Sequence, residues 1–223
     1  MRVLDDAGLG KMPSAAFGWL KVESKVQKVQ FRKELRVRKF LALLLVPACA
    51  GCLTAYTPAI ARWSIECSGR GVASESAKFG VARPSSVVVR APYNDELMVV
   101  LRADGSVAFD PLNLFASTPA AMLKGVVFDS MVRSGLFKSV VSTSSVASSE
   151  IFVEVEISKL ALDCRQEGQR NAVAAISVRV LDGREIVAES SGAGSFDAST
   201  GNYGAAFSGA VSSALVAAFA EIK

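Results

Sequence analysis

A short apolar run behind two cations constrains this chain more than any other feature. Arg38 and Lys39 precede the uncharged residues 40–46, and Pro47 is then followed by small residues and cysteines. This is the layout of a secretory signal with a small-residue processing site. The run is too short to cross a bilayer, which takes about 20 apolar residues. The sequence therefore predicts export, removal of this segment and folding of the chain on its C-terminal side.

The predicted processing site ends at a cysteine. Cys52 follows Ala50 and Gly51, and the segment resembles the lipobox of bacterial lipoproteins. In those proteins the thiol receives a diacylglycerol, the leader is cut off and the new amino terminus is acylated. Each buried methylene contributes about 0.8 kcal/mol, and one acyl chain alone anchors only marginally. Three chains on Cys52 would hold the protein at a membrane surface without a spanning helix.

Three alternatives remain open for this segment. Cys49 has Val46 at the third position before it and could be acylated instead, although Pro47 interrupts that pattern. Cys49 and Cys52 also fit a C-x-x-C redox or metal motif, but they lie at the end of an apolar leader and not at a strand-to-helix turn. An ordinary signal without lipid would leave both thiols unmodified.

The leader also divides the chain into expected regions. Residues 1–36 are basic and show no domain pattern, so we interpret them as an extended or wrongly assigned N-terminus, with initiation at Val37 as the hypothesis. We expect a lipoprotein signal peptide at 37–51, a tether at 52–61 and one domain at 62–223.

The net charge changes sign once the leader is removed. The whole chain carries +4, but residues 1–52 hold 10 Lys and Arg against 4 Asp and Glu, and the remainder holds 15 against 17, a net −2. The predicted mature protein therefore lacks the basic surface that phosphate backbones attract, and we expect no nucleic-acid partner.

Alternating apolar residues predict strands, and two Asp-Gly pairs predict tight hairpins. Asp104-Gly105 separates residues 96–102 from 106–109, and Asp182-Gly183 separates 174–180 from 184–189. Strands are also predicted at 62–67, 86–90, 136–141 and 153–158, with loops at 68–84 and 142–149.

Two segments have the apolar spacing of helices. The first begins at Pro119 behind a hydroxyl cap from Ser117 or Thr118 and ends at Gly135, and the second covers about residues 202–222. The expected fold is therefore an α+β domain with a mostly antiparallel sheet and two helices packed on one face.

Two cysteines remain in the predicted domain. Cys67 and Cys164 could form a disulfide in an oxidising envelope compartment, but they could equally be two small buried hydrophobes. Sequence does not show whether they meet.

The chain lacks the residues of common catalytic sites. It contains no histidine, which excludes Ser-His and Cys-His nucleophilic systems and His-containing zinc sites. Ser191-Gly192-Ala193-Gly194 follows a strand but does not match a nucleotide loop. We expect no enzyme, no metal and no cofactor beyond the covalent lipid.

The chain after the leader resembles the family of ABC-type transport auxiliary lipoproteins. The resemblance rests on a lipobox soon followed by an aromatic-bearing strand, then on a helix flanked by aromatic residues. The matching segments are Arg62-Trp63-Ser64-Ile65, Ala91-Pro92-Tyr93, Gly105-Ser106-Val107-Ala108-Phe109, Phe115 with Pro119, and Ser134-Gly135-Leu136-Phe137.

Membership would imply an accessory lipoprotein of an ABC transporter that moves lipids or other hydrophobic compounds between envelope membranes. Its partners would be a substrate-binding protein with an MCE domain, a permease and an ATPase. In bacterial lipoproteins an aspartate directly after the acylated cysteine is a signal for retention at the inner membrane. Here Leu53 follows Cys52 and Ala50 follows Cys49, so neither candidate cysteine has this signal. The resemblance then implies the inner leaflet of the outer membrane, facing the periplasm, and leaves homo-oligomers open.

Within this class, the docking surface is expected on the wetter sheet face or at a sheet edge. A second hypothesis is a lipid-binding module whose apolar cleft is lined by Phe207, Val211, Leu215 and Phe219. Apolar residues at helical spacing are more often core. A third is a lipoprotein of outer-membrane assembly, for instance in lipopolysaccharide export.

Overall fold

A computed structural model describes residues 58–66 and 77–222. The predictions for the leader, the tether up to residue 57, Cys49, Cys52 and Cys67 lie outside these residues. The described part contains eight strands and two helices. In chain order they are β1 Ala61–Trp63, β2 Phe79–Val89, β3 Leu97–Arg102, β4 Val107–Phe115, α1 Pro119–Ser134, β5 Phe137–Val140, β6 Ile151–Cys164, β7 Asn171–Asp182, β8 Glu185–Asp197 and α2 Tyr203–Glu221.

Both Asp-Gly hairpins are confirmed. They join β3 to β4 and β7 to β8 as antiparallel pairs. Gly105 has φ of 80° and Gly183 has φ of 59°, a left-handed conformation that glycine adopts without a steric penalty. The Asp104 carboxylate also accepts a hydrogen bond from the Ser106 amide at 2.8 Å, which fixes the first turn.

The helix boundaries agree with the sequence except at one cap. Helix α1 starts at Pro119 and stops before Gly135, which has φ of 65°. The Thr118 side chain makes no capping hydrogen bond, so the predicted hydroxyl cap is not formed there. In α2 the Asn202 side chain accepts a hydrogen bond from the Ala205 amide at 3.2 Å and caps the helix.

The sheet is mixed: among the described residues it contains four parallel strand pairs beside the antiparallel ones, whereas the sequence predicts a mostly antiparallel sheet. Strand β6 pairs with β7 in antiparallel fashion, while β2 and then β3 run parallel to β6 along its other edge. The β1–β4 and β2–β5 pairs are parallel as well. The reason is that alternation fixes which face a side chain occupies, whereas strand direction depends on long connections that alternation does not encode.

A second correction concerns the glycine- and serine-rich segment at 68–84, for which the sequence predicts a loop. Strand β2 already begins at Phe79 and runs through Pro84. The pairing of β2 with β6 shifts register between Pro84 and Ser86. A proline is tolerated in a strand at such an irregularity because the ladder does not need its missing N–H.

Both helices pack against each other and against one face of the sheet. The alternating residues Val153, Val155 and Ile157 of β6 are at most 1% exposed and lie in this core. Aromatic contacts tie the layers together, since Phe115 of β4 meets Phe207 of α2 edge to face at 5.1 Å. The opposite face of the sheet carries no helix among the described residues.

Candidate interaction surfaces

Strand β1, which follows the predicted tether, is held firmly to the domain. The Trp63 indole Nε1 donates a hydrogen bond to the Asn113 side chain at 3.0 Å, and its ring meets Tyr203 edge to face at 5.7 Å. Just after β1, the Glu66 amide donates to the Ser208 hydroxyl at 2.9 Å. The chain at Trp63 is therefore fixed to both β4 and α2.

Helix α2 lies directly on the last strand. A Cβ atom on Gly192 would lie 2.0 Å from the carbonyl oxygen of Ala214, and one on Gly194 would lie 1.9 Å from that of Ala210. Such distances leave no room for any side chain, so the two glycines let the helix backbone touch the strand. Glycine inside a strand commonly marks a close approach of this kind.

A groove of about 880 Å³ runs along the outer face of α2. Trp63, Ser64 and Glu66 line it, and so does Phe196, whose ring rests against Gly209. The remaining lining residues are small or uncharged: Asn202, Gly204, Ala205, Ser208, Ser212, Ser213 and Val216. Among the residues that the structure describes, Glu66 is thus the one charged group in the groove, and no lysine or arginine lines it.

The outer edge of β8 is open among the described residues, where β8 pairs with β7 alone. The Ala198 amide donates to the Arg170 carbonyl at 2.8 Å, just beyond the end of the β7–β8 ladder. Hydrogen-bonded pairs alternate in an antiparallel ladder. Counting back from Ala198, the even-numbered residues of β8 from 188 to 196 bond to β7. The backbone groups of Glu189, Ser191, Ala193 and Ser195 therefore point away from the sheet.

The helix-free face of the sheet is a mixture of ion pairs and exposed apolar residues. Arg179 lies opposite Glu154 and donates to Glu189 at 2.8 Å, and Arg90 pairs with Glu156. Phe109 is 49% exposed on the same face. Solvent-exposed pairs of this kind contribute at most about 1 kcal/mol each to stability, so their main effect is to keep this face wet and polar.

The proposed lipid cleft on α2 is not accessible. Phe207, Val211 and Leu215 are fully buried, and Phe219 is 5% exposed. Their stripe packs against the sheet and α1, where it forms part of the main core. Because no water-sized space reaches the first three side chains, the structure places them in the core and not on the wall of a cleft.

Cys164 ends β6 and is half-buried. Burial raises the pKa of its thiol. The neighbouring Asp163 accepts hydrogen bonds from Arg165, which lower the pKa of that carboxyl. Its predicted disulfide partner, Cys67, lies outside the described residues.

No cluster of three or more metal-binding side chains occurs within 58–66 and 77–222. Helix α2 is long and apolar enough to span a bilayer by length and composition alone, but most of it is buried against the sheet as a core helix.

Sequence reasoning missed the residues of the groove and of the open edge. Phe196, Gly209 and Ala193 carry no chemical motif. One signal was present, since small residues alternate at Ser190, Gly192 and Gly194 within a strand. That pattern predicts a close backbone approach, although it does not say from which element.

No family model matches the sequence, and no curated protein matches it. The fold is similar to the crystal structure of protein XCC0632 from Xanthomonas campestris, described under family model DUF330, with a TM-score of 0.56 and 13% identity. The match covers 68% of this chain and 88% of that one. A crystal structure of an uncharacterized protein also matches at 13% identity, with a TM-score of 0.42 over 61% of this chain and 81% of the other.

The similarity to the Xanthomonas protein establishes the class of fold: an α+β domain with a mixed sheet and two helices. At that coarse level it is consistent with the family resemblance in the sequence.

Proposed function

We propose that the mature protein is a lipid-anchored accessory component of an ABC transport system of the MCE type, which moves lipids or other hydrophobic compounds between envelope membranes. It docks the periplasmic substrate-binding component and performs no catalysis itself. ATP hydrolysis belongs to the partner ATPase.

The observation that carries this proposal is the position of Cys52 directly ahead of a strand that is fixed to the domain. Ala61, where β1 begins, is the ninth residue after Cys52. A fully extended chain of that length spans at most about 30 Å. Because Trp63 is hydrogen-bonded to β4 and packed on α2, an acylated Cys52 would keep the whole domain close to its membrane.

Tethering explains how a non-catalytic domain contributes to transport. Confinement to the gap between two membranes raises the effective concentration of both partners, so a weak contact is occupied most of the time. The helix-free sheet face and the open edge of β8 offer polar and backbone groups for such a contact. The absence of aspartate after either candidate cysteine supports anchoring in the outer membrane, facing the periplasm.

The burial of Phe207, Val211 and Leu215 removes the feature on which a lipid-binding function rested. A lipid carried by this domain would need another site.

The test compares the native protein with a variant whose residues 1–52 are replaced by a cleaved leader without cysteine. The native protein is expected to fractionate with outer membranes and to recover the MCE-domain protein after crosslinking of intact envelopes. The leader variant is expected in the soluble periplasmic fraction with about tenfold lower recovery. Cys164→Ser, with the native leader, is the matched control and should behave like the native protein. Native protein that is soluble, or that recovers no transport component, would overturn the proposal.

A further inference from the structure

We infer that the open edge of β8 binds an extended segment of a partner polypeptide, which adds to the sheet as a ninth strand. This deepens the docking role proposed above by naming the surface and the kind of partner, and it rests on that role only for the identity of the partner.

The open edge of β8 carries a long row of outward-pointing backbone groups. Glu189, Ser191, Ala193 and Ser195 direct their N–H and C=O groups away from β7, and no described residue pairs with them. Strand β8 runs for 13 residues and contains no lysine, arginine or proline. Natural proteins protect long edges with such residues because an unprotected edge pairs with other chains.

Helix α2 disfavours a second copy of this chain as the occupant of the same edge. Neighbouring strands lie about 4.8 Å apart, whereas packed helices need about 8–10 Å between their axes. Helix α2 sits directly above β8, in backbone contact at Gly192 and Gly194. Pairing β8 with its own copy would place two α2 helices side by side on one face, with the two Phe196 rings between them. An added strand without a helix on that face meets no such crowding.

An added strand at this edge would lie beside the outer flank of α2. Ala210 and Ala214 face β8, and Phe207 faces the core, so helical periodicity places Gly209 and Ser213 on the opposite flank of α2, toward the open edge. The ring of Phe196, which is 51% exposed, covers Gly209 on this flank. Alternate side chains of the added strand would lie against these small and aromatic groups, so they are expected to be apolar.

The charges on β8 favour basic residues near the two ends of the partner segment. The charged residues of β8 are Glu185, Glu189 and Asp197, and all three are acidic. Arg179 already pairs with Glu189, which leaves the carboxylates near the two ends of the strand. Complementary potentials favour lysine or arginine near the ends of the incoming segment and disfavour acidic residues there. Main-chain bonds supply the affinity and the alternate side chains the specificity, as in other strand additions.

The experiment uses the full-length protein in intact cells, with a photoreactive phenylalanine at position 191 or 195. The crosslinked residues are mapped by mass spectrometry. An added strand predicts that the two positions react with residues about four apart in one continuous segment of a single partner. It also predicts that Ala193→Pro lowers the yield about tenfold or more, because proline removes an outward N–H and fills the edge. Ala193→Val keeps that N–H and should leave the yield unchanged.

Crosslinks to a second copy of this chain would overturn the inference, as would crosslinks to scattered positions, yields insensitive to Ala193→Pro or the absence of any product. The outcome is separable from that of the proposed function. Loss of membrane anchoring with an intact crosslink pattern would contradict only the anchor. Recovery of the MCE-domain protein that Ala193→Pro does not alter would contradict only the β8 site.

Discussion

Gly192 of β8 lies beneath Ala214 of α2 so closely that a Cβ on the glycine would be 2.0 Å from the alanine carbonyl oxygen. The obstructing atom belongs to a helix backbone and cannot rotate away. Gly192→Ala must therefore lift the helix from the strand, and we expect it to lower the free energy of unfolding by about 3 kcal/mol. Urea denaturation of the native and variant proteins measures the change.

Gly125 provides the matched control for this substitution. It lies in α1, and a Cβ there would meet nothing within 4 Å. Gly125→Ala should raise the free energy of unfolding by up to about 1 kcal/mol, since alanine is the better helix former. Equal effects of the two substitutions would contradict the close packing of α2 on β8.

One phenylalanine of this region lies in the core and another lies at the surface, so their truncation should have different effects on stability. Phe207 is fully buried and contacts Phe115, whereas Phe196 is 51% exposed. Phe207→Ala is expected to cost about 3–5 kcal/mol of stability, because it leaves a cavity in the core. Phe196→Ala should cost less than about 1 kcal/mol. Thermal and urea unfolding measure both effects. A Phe207→Ala protein as stable as the native one would contradict the core position of Phe207 and would favour a cleft at this part of α2.

The sequence predicted the local elements better than their arrangement. Asp-Gly pairs and Gly135 carry local conformational signals, so both hairpins and the end of α1 were correct. The parallel neighbours of β6 depend on contacts between residues about 60–70 positions apart, and no local pattern encodes them. For the same reason the extension of β2 through Pro84 was missed. The sequence predicts a sheet edge as a possible docking surface but does not identify β8 as the edge strand. Which strand lies at an edge depends on the order of the strands in the sheet, and no local pattern encodes that order.

The half-buried thiol of Cys164 gives a prediction about pH. Burial disfavours the thiolate and raises the pKa of this group. The contribution of the Cys164 thiol to stability is therefore fully present below the pKa of this thiol in the unfolded protein. It is lost as the pH rises through the pKa of the thiol in the folded protein. We expect the pH midpoint for alkylation of Cys164 to lie higher in the native protein than in urea. Quantifying the peptide that spans residues 160–165 by mass spectrometry isolates this cysteine from the others.

If the pH midpoint for alkylation of Cys164 in the native protein is equal to or lower than the midpoint in urea, the partial burial of this thiol is contradicted. The same peptide also tests the predicted disulfide. A Cys164 that is bonded to Cys67 is alkylated only after reduction, whereas a free thiol reacts without it.

The mass of the N-terminal peptide of the mature protein tests the lipid anchor most directly. Trypsin releases residues 52–62 from a protein processed at Cys52. We predict that this peptide carries a diacylglycerol on the thiol and an acyl chain on its amino group, and that no peptide from residues 40–51 accompanies it. The equivalent modification at Cys49 would move the anchor by three residues and keep the proposal. An unmodified peptide containing both Cys49 and Cys52 would contradict it.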